Sequence, residues 1–163
     1  MKKLLFSGLV GLALISVSCE ATKKAEVAQN QRSEFLKMKG DWVLTSVDHS
    51  KEFKIKPFDE EADAQCWVGS HWRFIPNNYS GSYTLNGSGD CPVVSQNIKF
   101  EVVGGNEFKF KKLIAGSKAK AVTQGYSLQM LNQSETQFDL QQNVSFEGEV
   151  VTVVYHFQKT SGK

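Results

Sequence analysis

The sequence predicts an all-β domain, an eight-stranded antiparallel up-and-down barrel that follows a signal peptide and a short tether. Three observations lead there. Apolar and polar residues alternate with a period of two in eight separate stretches after residue 40. Turn-forming residues separate most of those stretches at short intervals. A charged and apolar leader, ending at a cysteine, stands apart from everything that follows.

The strands come in order. Trp42, Leu44 and Ser46 alternate with Val43, Thr45 and Val47. Trp72 and Phe74 flank Arg73, and Tyr83 and Leu85 flank Thr84. Ile98, Phe100 and Val102 alternate with Lys99 and Glu101, and Phe108 and Phe110 flank Lys109. Tyr126, Leu128 and Met130 alternate with Ser127 and Gln129. Phe138 and Leu140 alternate with Gln137, Asp139 and Gln141. Val151, Val153, Tyr155 and Phe157 complete the set. One apolar face per strand is the pattern of antiparallel sheet with one solvated side. Pro76-Asn77-Asn78, the Asn86–Asp90 stretch, Gly104-Gly105-Asn106, Asn132-Gln133-Ser134 and Gly148 supply the turns. Eight sequential strands close into a barrel and so remove their exposed edges. One connection, residues 49–70, is long. Its Asp59-Glu60-Glu61-Ala62 stretch predicts a helical turn with Asp59 as N-cap.

The leader reads Met1-Lys2-Lys3 and then an apolar run from Leu4 to Val17. As a helix that run rises only about 21 Å, short of a hydrocarbon core of about 30 Å. Cys19 follows Ser16-Val17-Ser18 at its end, and this junction resembles the lipobox of bacterial lipoprotein precursors. The usual leucine three residues before the cysteine is replaced by Ser16. The resemblance implies cleavage before Cys19 and acylation (palmitate or similar chains) of that residue, which would hold the chain on a membrane through its N-terminal lipid. The predicted organisation is a signal peptide over 1–18, a lipidated N-terminus and flexible tether over 19–35, and a β-barrel domain over 36–163.

Charge and cysteine content narrow the function. The chain carries 19 Lys and Arg against 17 Asp and Glu, and without Lys2 and Lys3 the basic count is also 17. No basic excess remains to support nucleic-acid binding. With Cys19 lipidated, Cys66 and Cys91 are left as a pair, and export to an oxidising compartment predicts a disulfide between them. There is no Cys-x-x-Cys to suggest a metal site.

Gly40-Asp41-Trp42, at the start of the first strand, resembles the Gly-x-Trp signature of lipocalins. With the eight-strand meander, the long first loop and the N-terminal tether, the resemblance covers roughly residues 36–160 and is nearest to bacterial lipocalin-like lipoproteins. It implies that Trp42, preceded by Gly40, closes one end of the barrel, with Lys159 as the one candidate to stack on it. It also implies a calyx for a small hydrophobic ligand. The ligand-pocket candidates are Trp67, Trp72, Phe74, Tyr83, Phe100 and Tyr126. Trp67, His71 and Trp72 lie near Cys66 and the long loop, where they would either line a pocket mouth or simply pack the core. Such a barrel is wide enough for one small ligand or for its own side chains.

No catalytic set stands out. His49, His71 and His156 are scattered, and His156 is expected on the outer face. There is no Gly-x-Ser-x-Gly and no phosphate loop. The acidic Asp59, Glu60, Glu61 and Asp63 lack cation-loop spacing and are expected to be solvated. Lys109, Lys111 and Lys112 are expected on the outward face of a strand. Asn78, Asn86, Asn132 and Asn143 each begin an Asn-x-Ser triplet and read as turn residues. No cofactor, metal or catalytic residue is assigned. The expectation is a non-enzymatic lipoprotein of the cell envelope, anchored at the outer membrane, that binds a small hydrophobic ligand. The alternative is an accessory lipoprotein with a filled barrel that docks on an envelope protein complex.

Overall fold

The computed structural model describes residues 16–50, 54–116, 118–146 and 148–160. Two compact units meet between Ser33 and Glu34. The first contributes most of helix α1, Ser16–Lys37. Residues 19–35 were expected to be a flexible tether, and here the backbone is helical instead. The reason is composition: Ala, Glu, Lys and Gln dominate, and no Gly or Pro interrupts them. The helix exposes every residue from Glu20 to Ser33, consistent with its lack of an apolar stripe. The predicted signal peptide falls largely on residues 1–15, which lie outside the described residues, as does the side chain of Cys19. No helix among the described residues is long and apolar enough to cross a membrane.

The second unit is the barrel. Its strands are β1 (Gly40–Asp48), β2 (His71–Ile75), β3 (Ser80–Asn86), β4 (Val93–Val103), β5 (Glu107–Lys112), β6 (Tyr126–Leu131), β7 (Gln137–Phe146) and β8 (Glu149–Lys159). Each pairs antiparallel with the next, and β8 closes back onto β1. All eight expected strands are present, in the expected up-and-down order.

Two details of the strand reading are corrected. Val47 was placed on the outer face with Val43 and Thr45, yet it is buried, while Ser46 is only half-buried. A register shift between Leu44 and Ser46 inserts an irregularity into β1 and changes the phase of everything after it. A second long connection also exists, residues 113–125 between β5 and β6. Among its described residues one short turn, Ala119–Ala121, is regular, and it has no apolar period to mark the segment in the sequence.

The floor of the barrel is built around Trp42. Its side chain is fully buried, donates its indole N–H to Met38 O at 2.8 Å, and meets the Phe138 ring at 4.7 Å. Lys159 Nζ lies 5.3 Å from the Trp42 ring centroid, within cation–π range, and also donates to Lys37 O. Gly40 has a φ of +125°, and a Cβ there would approach Lys159 Cε to 3.2 Å. A glycine two residues before the tryptophan therefore allows both the backbone turn into β1 and the lysine cover. Phe35 and Met38, from the end of α1 and just beyond it, are buried beneath the same floor.

Candidate functional site

The loops after β1, β3, β5 and β7 gather at the other end of the barrel. The first of these fills the mouth. Residues 54–70 enter as two short 3-10 turns, Pro57–Asp59 and Ala64–Trp67. Phe58 and Asp59 take left-handed backbone angles, with φ of 57° and 53°. For a bulky residue such as phenylalanine this conformation costs on the order of 1–2 kcal/mol, so packing must hold it there. It does: the Phe58 ring is buried, with its centroid about 5 Å from those of Trp67, Phe110, Tyr126 and Tyr155 (5.0, 5.0, 5.4 and 5.2 Å). Trp72 stands a little further off, at 6.4 Å. A ring of aromatic residues thus encloses one phenyl group contributed by the loop.

The loop is also latched by polar contacts. Tyr83 O–H donates to Glu60 Oε1 at 2.7 Å, and Lys112 Nζ donates to the same oxygen at 3.1 Å. Lys112 Nζ donates again to Phe58 O at 2.9 Å. Tyr126 O–H reaches both Phe58 O, at 2.9 Å, and Asp59 Oδ2, at 2.7 Å. Burial, reinforced by the neighbouring Glu60 and Asp59 carboxylates respectively, raises the phenol pKa of Tyr83 and Tyr126 far above the ordinary tyrosine value. Both phenols are therefore held as neutral donors. The Cys66–Cys91 disulfide ties the base of the loop to the β3–β4 turn, as expected from the cysteine count. One donor in the cluster has no acceptor among the described residues: the indole N–H of Trp67, which is fully buried.

Three expectations are corrected here. Asp59 does not cap a helical turn. Asp63 does, accepting from Gln65 N at 3.0 Å, while Asp59 accepts from Tyr126 and Gln124. The acidic stretch is not uniformly solvated, because Glu60 points into the mouth. Nor does Lys112 share the outward face of Lys109 and Lys111: it continues the inward register of Phe108 and Phe110, and its cross-strand partner is the buried Ile98.

The six pocket candidates all belong to the barrel wall or its lid. Trp67, Trp72, Phe74, Tyr83 and Phe100 are buried, and Tyr126 is half-buried. Trp67, Trp72, Tyr83 and Tyr126 surround or latch the Phe58 segment. Phe74 and Phe100 lie lower, packed on one another at 4.9 Å, with Phe74 also against Phe138 and Phe100 against Phe35 of the floor. An open groove of about 540 Å³ runs along β4, β5 and β6, bordered by Lys99, Lys109, Lys111 and Thr123 together with Phe100, Phe110 and Tyr126, so that two of the six candidates also border it. Phe58, Glu60, Lys112 and Tyr155 are site residues that sequence reasoning passed over. Parity along β5 identifies Lys112, whereas the loop residues have no comparable signal.

His156, on the outer side, faces Asp139 through Nδ1 at 2.7 Å and Asp48 through Nε2 at 3.1 Å. It joins β8 to β7 and β1. No group of three or more His, Cys, Asp or Glu disposed to hold a metal occurs among the described residues.

The chain matches no family model, and no curated protein matches it. Among solved structures it is similar to the bovine lipocalin allergen Bos d 2, with 14% identity over 79% of this chain and 77% of that one, at a TM-score of 0.44. It is also similar to bovine odorant-binding protein complexed with its natural ligand, with 11% identity over 78% and 74% at 0.46. A third is the odorant-binding protein from bovine nasal mucosa, with 12% identity over 78% and 74% at 0.46. In fold alone the domain is lipocalin-like: a closed eight-stranded antiparallel meander that begins with Gly40-Asp41-Trp42 and buries that tryptophan at its floor.

Proposed function

We propose that the domain is a non-enzymatic binding module that takes a small hydrophobic molecule into its calyx in exchange for the Phe58 lid. The observation that carries this reading is the Phe58 ring itself. It sits inside an aromatic cage, belongs to a loop rather than to a strand, and is held in a backbone conformation that phenylalanine disfavours. A guest that occupies the cage releases that strain as the loop leaves. Titration of the intact chain with a neutral apolar fluorophore such as N-phenylnaphthylamine tests it. The wild type should bind saturably, one probe per chain, and Phe58→Ala should bind more tightly because the internal competitor is gone. Absence of saturable binding to the wild type would remove the calyx reading.

The filled interior favours a second reading. In it the barrel is a solid scaffold, and an accessory lipoprotein docks on an envelope protein complex. It predicts no uptake of the probe by the wild type.

For either reading we propose attachment to the outer membrane through acylated Cys19. The leader and the Ser16-Val17-Ser18-Cys19 junction support this. Cys19→Ser should abolish incorporation of labelled fatty acid and release the protein from the membrane fraction. Unchanged fractionation would remove Cys19 as the anchor.

A further inference from the structure

We propose that the ligand of the calyx is an amphipathic carboxylate, a compact apolar body joined to one carboxylate group, and that Phe58-Asp59-Glu60 is its internal stand-in. The inference rests on the reading that this lid exchanges with ligand. The lid places two kinds of chemistry in the mouth of the barrel. The Phe58 ring fills the aromatic cage, and the Glu60 carboxylate receives both the Tyr83 O–H and the Lys112 ammonium. Lys112 and Tyr126 complete the arrangement at Phe58 O. The receiving groups are thus an apolar pit with a cation and two neutral phenols at its rim.

Consider what remains when the lid is displaced. Lys112 loses both of its oxygen partners, and its side chain is only 25% exposed in the closed state. Tyr83 and Tyr126 lose their acceptors as well. A neutral hydrocarbon that takes the place of Phe58 leaves the Lys112 ammonium and the buried Tyr83 phenol without these partners beside a largely apolar site, which is costly. A guest that brings its own carboxylate restores a charge-assisted contact to Lys112 and an acceptor for Tyr83. The buried Trp67 N–H, with its ring 5.0 Å from Phe58 and 5.2 Å from Tyr83, is a further donor that the lid does not use. A carboxylate has more acceptor positions than the two contacts Glu60 makes.

The staple limits how the lid can leave. Cys66–Cys91 and the pairing of Gly69 N with Leu44 O hold the end of the loop against the barrel. Displacement is then confined to residues before Ala64, and Trp67 stays behind as part of the site. The vacated volume is that of one phenyl side chain plus the short segment carrying it. This favours a compact body of a few rings or a short branched chain over a long acyl tail.

The test compares phenylpropanoate with phenylpropanol, a pair sharing one apolar body, by calorimetric titration of the intact wild-type chain. The acid should bind at least tenfold more tightly than the alcohol. Lys112→Met should erase that preference while leaving the alcohol bound as well as before or better, since the latch is weakened. Glu60→Gln should tighten binding of the acid, because the internal carboxylate no longer competes. If the alcohol binds and the acid shows no advantage, the carboxylate assignment is overturned while the calyx reading survives. If neither compound nor the neutral fluorophore binds the wild type, both fall. Equal losses for acid and alcohol in Lys112→Met would also overturn the assignment, because they would mark Lys112 as a purely structural residue.

Discussion

At the scale of single residues, burial and partner chemistry decide what each aromatic side chain does. Trp42 is fully enclosed, donates its N–H to Met38 O, and is covered by Lys159. Trp42→Ala should destabilise the domain by about 3–5 kcal/mol, the range for truncating a large buried aromatic. Denaturant melts check this, and a cost below about 1 kcal/mol would place Trp42 outside the core. The tyrosines impose a pH limit. Desolvation raises the pKa of Tyr83, Tyr126 and Tyr155 in the folded chain, and carboxylate neighbours add to it for the first two. A raised folded-state value means that folding favours the protonated phenol. That stability is intact below the ordinary tyrosine value of 10.0 and is lost as pH rises toward the folded-state values. Stability should therefore fall above roughly pH 10, with tyrosinate absorbance appearing together with loss of fold. Free titration of these phenols near pH 10 in a folded chain would contradict the assignment.

At the scale of elements, legibility depended on period. All eight strands could be read because each buries one face and alternates, and a few turn residues locate most breaks. Val47 was misplaced because a β-bulge consumes one residue without leaving a sequence mark. Lys112 was misplaced for a different reason. Charge suggested the surface, yet the parity set by Phe108 and Phe110 points inward, and parity was the better guide. The first loop could be recognised as long and cysteine-bearing, but not as a plug. The left-handed geometry of Phe58 and Asp59 depends on packing against five distant aromatic residues, which no local pattern encodes. The pocket candidates were legible as inward aromatics, whereas their internal guest was not. The staple at the base of this loop has its own consequence. The bond closes a separation of 25 residues, for which chain entropy gives roughly 3 kcal/mol of stabilisation. Cys66→Ser with Cys91→Ser should lower stability by about that amount in denaturant melts. A negligible change would show that the loop base is held by the burial of Trp67 and Ala64 alone.

At the scale of the whole molecule, the barrel has two differently built ends. The floor is closed by Phe35 and Met38, which precede the meander, and by Trp42 and Lys159, at the start of its first strand and the end of its last. The mouth is closed by a loop whose ring and carboxylate occupy sites formed by other strands. Under the proposed calyx function, this asymmetry corresponds to a fixed floor and an exchangeable occupant of the mouth. The central claim is that Phe58 leaves when ligand enters, and fluorine NMR of the chain carrying para-fluorophenylalanine at position 58 tests it most directly. In the free protein the fluorine should resonate at a shift displaced by the surrounding aromatic rings. Saturation with ligand should move it to the position of a solvent-exposed phenylalanine. A resonance that stays in place while ligand is demonstrably bound would contradict the account.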